Sequence, residues 1–233
     1  MFDTDLLEKT EVLVKQQYDR LKCWAHAWPH IKKVKDNSLK LAKIVNTDSV
    51  SCAIAAYCHD LGRIVEQETR GKQIELGSTD HSSNSIKATK ELLSELGVTG
   101  CDSDTIIEAV AVHSDKRYTG KNLIAKVLRD CDKKDSLGPW GTLRHIKHHF
   151  NKDLVRTQDI MKYQDNNIGI KILANTTLEM VKNGGVDKEK YLKVLDFVLE
   201  WVDNKMLDLE QSYDFLNEDY EFTKKSKEFL LNI

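Results

Sequence analysis

His30, His59, His81 and His113 each sit near the end of a predicted helix, Asp60 directly follows His59, and Asp132 stands in the run Asp130-Cys131-Asp132. Imidazole nitrogens mixed with carboxylate oxygens suit a divalent ion such as Mn, Fe, Co, Ni or Zn. Mg is less natural where nitrogen ligands are many. Neighbours on a regular helix point about 100° apart, so His59 and Asp60 can share one ion only near a helix end. Gly62 is expected to supply that end, where the negative pole of the helix dipole would favour a cation. Unpaired polar groups on a stretch as apolar as residues 48–61 would be costly, so the pair is expected to have partners.

The elements that must carry these residues read as helices. With only Pro29 and Pro139 in the chain, long helices meet few obstacles, and no run of strict alternation argues for a strand. Apolar spacing predicts helices over 4–22, from Pro29 to about Ile44, and over 48–61, the last one central and buried. Further helices are expected from an Asp80 cap to Leu96 with Gly97 as the stop, from an Asp104 cap to His113, and from Asn122 to about Leu137. Beyond Pro139 the pattern predicts helices near 141–163, 170–183 and 187–207, with a break at Gly184-Gly185 and a charged terminal segment. The expected fold class is all-α.

Composition narrows the setting. The 233 residues are 40% hydrophobic and 31% charged with a net charge of −2, an ordinary globular balance. No global basic field favours nucleic acid or an anionic membrane, and no apolar stretch approaches bilayer-spanning length. The acidic N-terminus lacks the order of a signal peptide. Five cysteines without a CxxC pair read as reduced, mostly buried thiols, and the expected location is cytoplasmic.

The order His30, His59-Asp60, Asp132, with Ala56-Tyr-Cys-His-Asp-Leu-Gly-Arg63 around the doublet and Asp130-Cys-Asp-Lys-Lys-Asp-Ser-Leu-Gly138 closing the set, resembles the HD superfamily, named for its His-Asp doublet. The resemblance spans roughly residues 24–145. It implies an HD-type helical bundle over residues 1–160, with a C-terminal helical extension over 161–233. It also implies a divalent metal (Mn, Mg, Co, Ni, Fe or Zn, one or two ions) held by His30, His59, Asp60 and Asp132. Asp130 is the rival for the last position; Asp132 is preferred because the family's Ala-Asp step aligns with Cys131-Asp132. His81 and His113 match the extra histidines of branches that hold a second metal. In single-metal members they would instead orient a phosphate or leaving group, which makes them, with Asp60, the candidate catalytic residues. Arg144 resembles a family arginine able to hold a phosphate through its planar fork, while Arg63 and Lys116 could lend positive charge to an anionic substrate.

The activity this resemblance implies is metal-dependent hydrolysis of a phosphoester or phosphoanhydride in a small phosphorylated molecule, with a nucleotide as the leading substrate. Nucleic acid and membrane are not expected partners. One departure matters: the acidic residue that several HD nucleotidases carry just after the doublet is absent from Leu61-Gly62-Arg63-Ile64, leaving Glu66, Glu68 and Asp115 as substitutes. Two other readings use the same scaffold. One is an HD-type di-iron oxygenase acting on a small phosphonate or polyol. The other is a ligand-binding or signalling HD domain without turnover. His26, one turn before His30, is a candidate partner of a ligand, and the cluster His145, His148, His149 reads as a solvated helix face.

Overall fold

The computed structural model describes residues 4–21, 26–69, 81–115, 117–150, 155–163 and 165–232. Among them are twelve helices and no strand, so the all-α expectation holds. By compactness the chain divides into two units, Met1–Cys131 and Asp132–Ile233.

The first unit contains α1 (Thr4–Tyr18), α2 (Trp28–Ile44), α3 (Ser49–Cys58), α4 (Gly62–Thr69), α5 (His81–Glu95), α6 (Cys101–Val112) and most of α7 (Leu123–Lys134). Helix α3 is its centre. Every residue from Ser51 to Cys58 is buried, and α1, α2, α5 and α6 all pack against it. Asp48 starts it by accepting hydrogen bonds from the backbone of Val50 and Ser51 at 3.0 and 3.3 Å, which satisfies amide groups that a helix start leaves orphaned. Ile31, Val34 and Leu41 of α2, Leu93 of α5 and Ile106 of α6 are buried around it. Residues at helical spacing thus seal one apolar core, as the periodicity predicts.

Gly62 corrects one expectation. It begins α4 rather than ending the doublet helix. Regular helix stops at Cys58, and the chain tightens through three-residue turns, Leu61 N to Cys58 O, Arg63 N to Asp60 O and Ile64 N to Leu61 O, at 2.9–3.1 Å. The glycine is needed for close approach. A Cβ there would stand 2.0 Å from the His81 carbonyl oxygen, and its amide donates to Ser85 Oγ at 2.8 Å. Asp104 is likewise not a cap, since α6 starts three residues earlier with Gly100 at its N-cap. The expected cap Asp80 lies outside the described residues. Asn122 behaves as expected: its Oδ1 accepts from Ile124 N at 2.9 Å and Ala125 N at 3.2 Å.

The second unit contains the end of α7 and α8 (Gly138–Phe150), α9 (Thr157–Tyr163), α10 (Asn167–Lys182), α11 (Lys188–Asp203) and α12 (Gln211–Leu231). The single helix expected near 141–163 is two helices, with 151–154 outside the described residues. Gly138 has φ +71°, a conformation glycine adopts without penalty, and its amide donates to Thr223 Oγ1 at 2.8 Å. The charged terminal segment is a 21-residue helix whose inward positions include Ser212, Leu216, Thr223, Ser226 and Leu230. Threonine and serine on the buried face hide the apolar period from a sequence reading.

Candidate metal centre

The tight turns after α3 allow consecutive residues to serve one point. His59 caps α3 with its ring inward, and its Nδ1–H donates to the Ala56 carbonyl at 2.8 Å. His113 repeats the device at the end of α6, donating from Nδ1 to the Val110 carbonyl at 2.7 Å. Because a carbonyl only accepts, both rings carry a proton on Nδ1, so Nε2 is the nitrogen that each neutral ring would offer to an ion. His30 contributes from the first turn of α2 and His81 from the first residue of α5.

These nitrogens surround Asp60. His30 Nε2 lies 3.3 Å from His59 Nε2, and the two stand 3.8 and 3.7 Å from Asp60 Oδ2. His113 Nε2 is 3.9 Å from the other oxygen, Oδ1. The rings form a continuous row, His30–His59, His59–His113 and His113–His81, with centroids 5.3, 5.3 and 5.4 Å apart. Two groups result, His30-His59-Asp60 and Asp60-His81-His113, in each of which the offered atoms lie within 4.8 Å of one another. Ligands about 2.1 Å from an ion are separated by about 3 to 4 Å, and the 3.3, 3.7 and 3.8 Å separations within His30-His59-Asp60 fall in that range; Asp60 is common to both groups.

Apart from the half-buried His81, these residues are buried. Burial would by itself push the Asp60 carboxyl up. The positive charges of His59, His26, Arg63 and His113 outweigh it and hold the carboxyl well below the usual carboxylate range. Asp60 is therefore held as a carboxylate, the form that can ligate a cation. The Tyr18 ring of α1 is buried against the same residue. Its phenol is pushed well above its ordinary value, first by burial and then by the Asp60 charge.

The other sequence candidates are placed as follows. Arg63 packs beside the doublet, its Nε 3.4 Å from Asp60 Oδ1 and its Nη1 3.2 Å from Glu66 Oε2. His26 sets its ring edge-on to His30 at 6.1 Å. Asp130 is buried and Asp132 half-buried, both on α7. Arg144 is a buried residue of the second unit whose Nη1 is ion-paired with Asp135 Oδ2 at 3.2 Å. Lys116 lies outside the described residues. Sequence reasoning did not anticipate α4, the hydroxyls that tie this end together, Ser82 Oγ to Ser114 Oγ at 3.1 Å and Ser85 on Gly62, or the buried Arg129. None of these forms a pattern that can be read before the helices are packed.

No curated protein matches the chain. Among solved structures it resembles a predicted HD superfamily hydrolase from an uncultured Thermotogales bacterium, with 20% identity, 83% of this chain and 92% of that one covered, and a TM-score of 0.52. It also resembles Bacillus subtilis YpgQ, solved in complex with ADP, with 16% identity, 99% and 95% coverage and a TM-score of 0.57. At these identities the likeness is one of fold. The family evidence is in the sequence: residues 28–137, which carry the four histidines and Asp60, match the HD domain.

Proposed function

We propose that the chain is a divalent-metal-dependent hydrolase that cleaves a phosphoester or phosphoanhydride bond in a small phosphorylated molecule, with nucleotides as the first substrate class. The observation that carries this reading is the convergence of His30, His59, His81 and His113 on the single carboxylate of Asp60. His30, His59 and Asp60 would hold the metal, with Asp132 as the fourth ligand, and His81 and His113 would hold a second ion or the phosphoryl group. When bound, such an ion supplies Lewis acidity and lowers the pKa of a coordinated water towards ~7.

The chain's own residues do the rest. The backbone bonds of His59 and His113 aim both Nε2 atoms inward, so neither ring must rotate when the site is loaded. Arg63 stands beside Asp60 with its fork partly exposed, suited to phosphoryl oxygens once it exchanges its contact with Glu66. ADP bound to YpgQ supports the nucleotide class. The C-terminal helices are part of this reading only as an extension of the HD region.

The test is phosphate or pyrophosphate release from nucleotides and small phosphoesters with Mn, Mg, Co and Ni, comparing wild type with Asp60→Ala. Metal-dependent release that vanishes in the variant is the expected result. Because Asp60 is common to two ligand groups, the di-iron oxygenase is the second reading. Iron in the purified protein with oxygen-dependent turnover and no release would favour it.

A further inference from the structure

Arg129 is 4% exposed, in a position where arginine is rarely found unless its charge is committed. It stands on α7, and its Nη1 donates to the Val112 carbonyl at 2.7 Å and to the Asp115 carbonyl. Its guanidinium also lies over the Tyr118 ring, 5.6 Å from the centroid. Val112 is the last residue of α6, and His113 is its C-cap. The final carbonyls of a helix have no partner within it, and a cation there is favoured by the dipole. Arg129 therefore clamps the backbone on both sides of His113.

The clamp bears directly on the site. The His113 ring is tied to its own backbone through Nδ1 and Val110, so whatever fixes residues 110–115 fixes Nε2 relative to Asp60 Oδ1. The bond between Ser114 and Ser82 joins the same segment to the first turn of α5, next to His81. We propose that Arg129 is a positioning residue that aims His113, and with it the Asp60-His81-His113 group, by capping the end of α6. The inference rests on the metal-dependent reading above.

The experiment is calorimetric titration of Mn2+ into wild type, Arg129→Met, His113→Ala and the double variant, with a thermal melt of each. Wild type should bind Mn2+. Arg129→Met should weaken that binding on the order of tenfold, the scale of losses when an outer partner of a ligand is removed. In the His113→Ala background the same substitution should change affinity by less than about twofold, since its effect passes through a ring no longer present. Arg129→Lys keeps the charge but loses the planar fork and should recover part of the loss. If Arg129→Met does not fold, the cycle is closed with Arg129→Lys instead.

Wild-type affinity in Arg129→Met, with or without a lower melting temperature, overturns the proposal and leaves Arg129 as a structural cap. A full loss repeated in the His113→Ala background also overturns it, because the route would then run through other groups such as the adjacent Asp130. Failure of wild type to bind Mn2+ sinks the metal-dependent reading and this inference together. Binding by wild type with no change in the variants sinks this inference alone.

Discussion

The chain carries two histidine clusters, and only one has the geometry of a metal site. In the first unit, His30, His59, His81 and His113 come from four helix ends and meet around a carboxylate. In the second, His145, His148 and His149 all come from one helix, α8, with His148 and His149 in its last turn. The His145 and His149 rings stack nearly parallel, at 15° and 5.7 Å, so their nitrogens point past one another. His145 Nε2–H is spent on the Ser136 carbonyl at 3.1 Å, and the surrounding charges on these rings, Arg144 and Lys190, are positive. Among the described residues no metal-competent group includes any of the three. Histidine number does not make a site; converging helix termini with an anion between them do.

The largest effect that could break this comparison is the loss of Asp60. Asp60→Ala removes the one ligand common to both groups and should lower Mn2+ affinity and phosphate release by at least about 100-fold, as expected for a direct ligand. His148→Ala with His149→Ala should leave bound-metal stoichiometry unchanged. Elemental analysis of the purified proteins after metal loading measures both, and equal losses in the two variants would erase the distinction drawn here.

Gly62→Ala is next. A Cβ 2.0 Å from the His81 carbonyl oxygen and 2.7 Å from Ser85 N must push α5 away from α4, because backbone atoms cannot swing aside. Overpacking of this kind costs about 1–3 kcal/mol, and two backbone contacts put this case at the upper end. Urea unfolding should show the loss, and Mn2+ affinity should fall with it because His81 moves. A normal melt and normal affinity would mean the close approach has no bearing on the site.

How far the sequence could be read follows from the same contrast. Helix α3 was legible because Ala53 to Cys58 leave no polar face except the doublet, and Asp48 is a recognisable cap. His30, His59, His81 and His113 could be grouped only through the resemblance, since their spacing along the chain is irregular and nothing local says that four helix ends meet. The turns after Cys58 were not legible: Gly62 reads equally as a helix stop and as a point of close approach, and the deciding atom belongs to His81, nineteen positions on. Arg129 carries no signal in the sequence and Arg144 reads as a candidate phosphate holder; both are buried. Their partners are two carbonyls in the first case and Asp135 in the second. α12 escaped notice because its inward row mixes Leu216 and Leu230 with Thr223 and Ser226.

His145 sharpens the comparison from the other side. Burial first, and then the Arg144 charge, push its imidazole down to about 3. In the unfolded chain the ring has its ordinary value near 6.5. Above that value both states are neutral and the group contributes no pH dependence. Between about 6.5 and about 3 the unfolded state alone takes up the proton, so stability falls as pH falls, at roughly 1.4 kcal/mol per pH unit. His145→Gln keeps an N–H for the Ser136 carbonyl and cannot titrate. Urea midpoints from pH 7 to pH 5 should therefore decline less steeply in the variant, and parallel slopes would count against a buried neutral imidazole.

The smallest effect concerns Tyr18, where the candidate site and the core meet. Its ring is 1% exposed, and its hydroxyl makes no hydrogen bond of normal geometry among the described residues. A buried hydroxyl without a partner forfeits about 1–3 kcal/mol of desolvation, although relaxation recovers part of it. Tyr18→Phe deletes that hydroxyl and keeps the ring that fills the space between α1 and α3, so the protein should melt at the same temperature or slightly higher, by up to about 1 kcal/mol of stability. The opposite sign is informative. A loss of stability would mean that the hydroxyl has a bonded partner in solution, and the residue it lies against, Asp60, is the first to test. Comparing Tyr18→Phe in wild-type and Asp60→Asn backgrounds separates the two parts of that residue: a loss confined to the aspartate background identifies the Asp60 carboxylate as the partner, a loss in both is what the Asp60 backbone would give, and either ties α1, which precedes the HD match, to the centre of the domain.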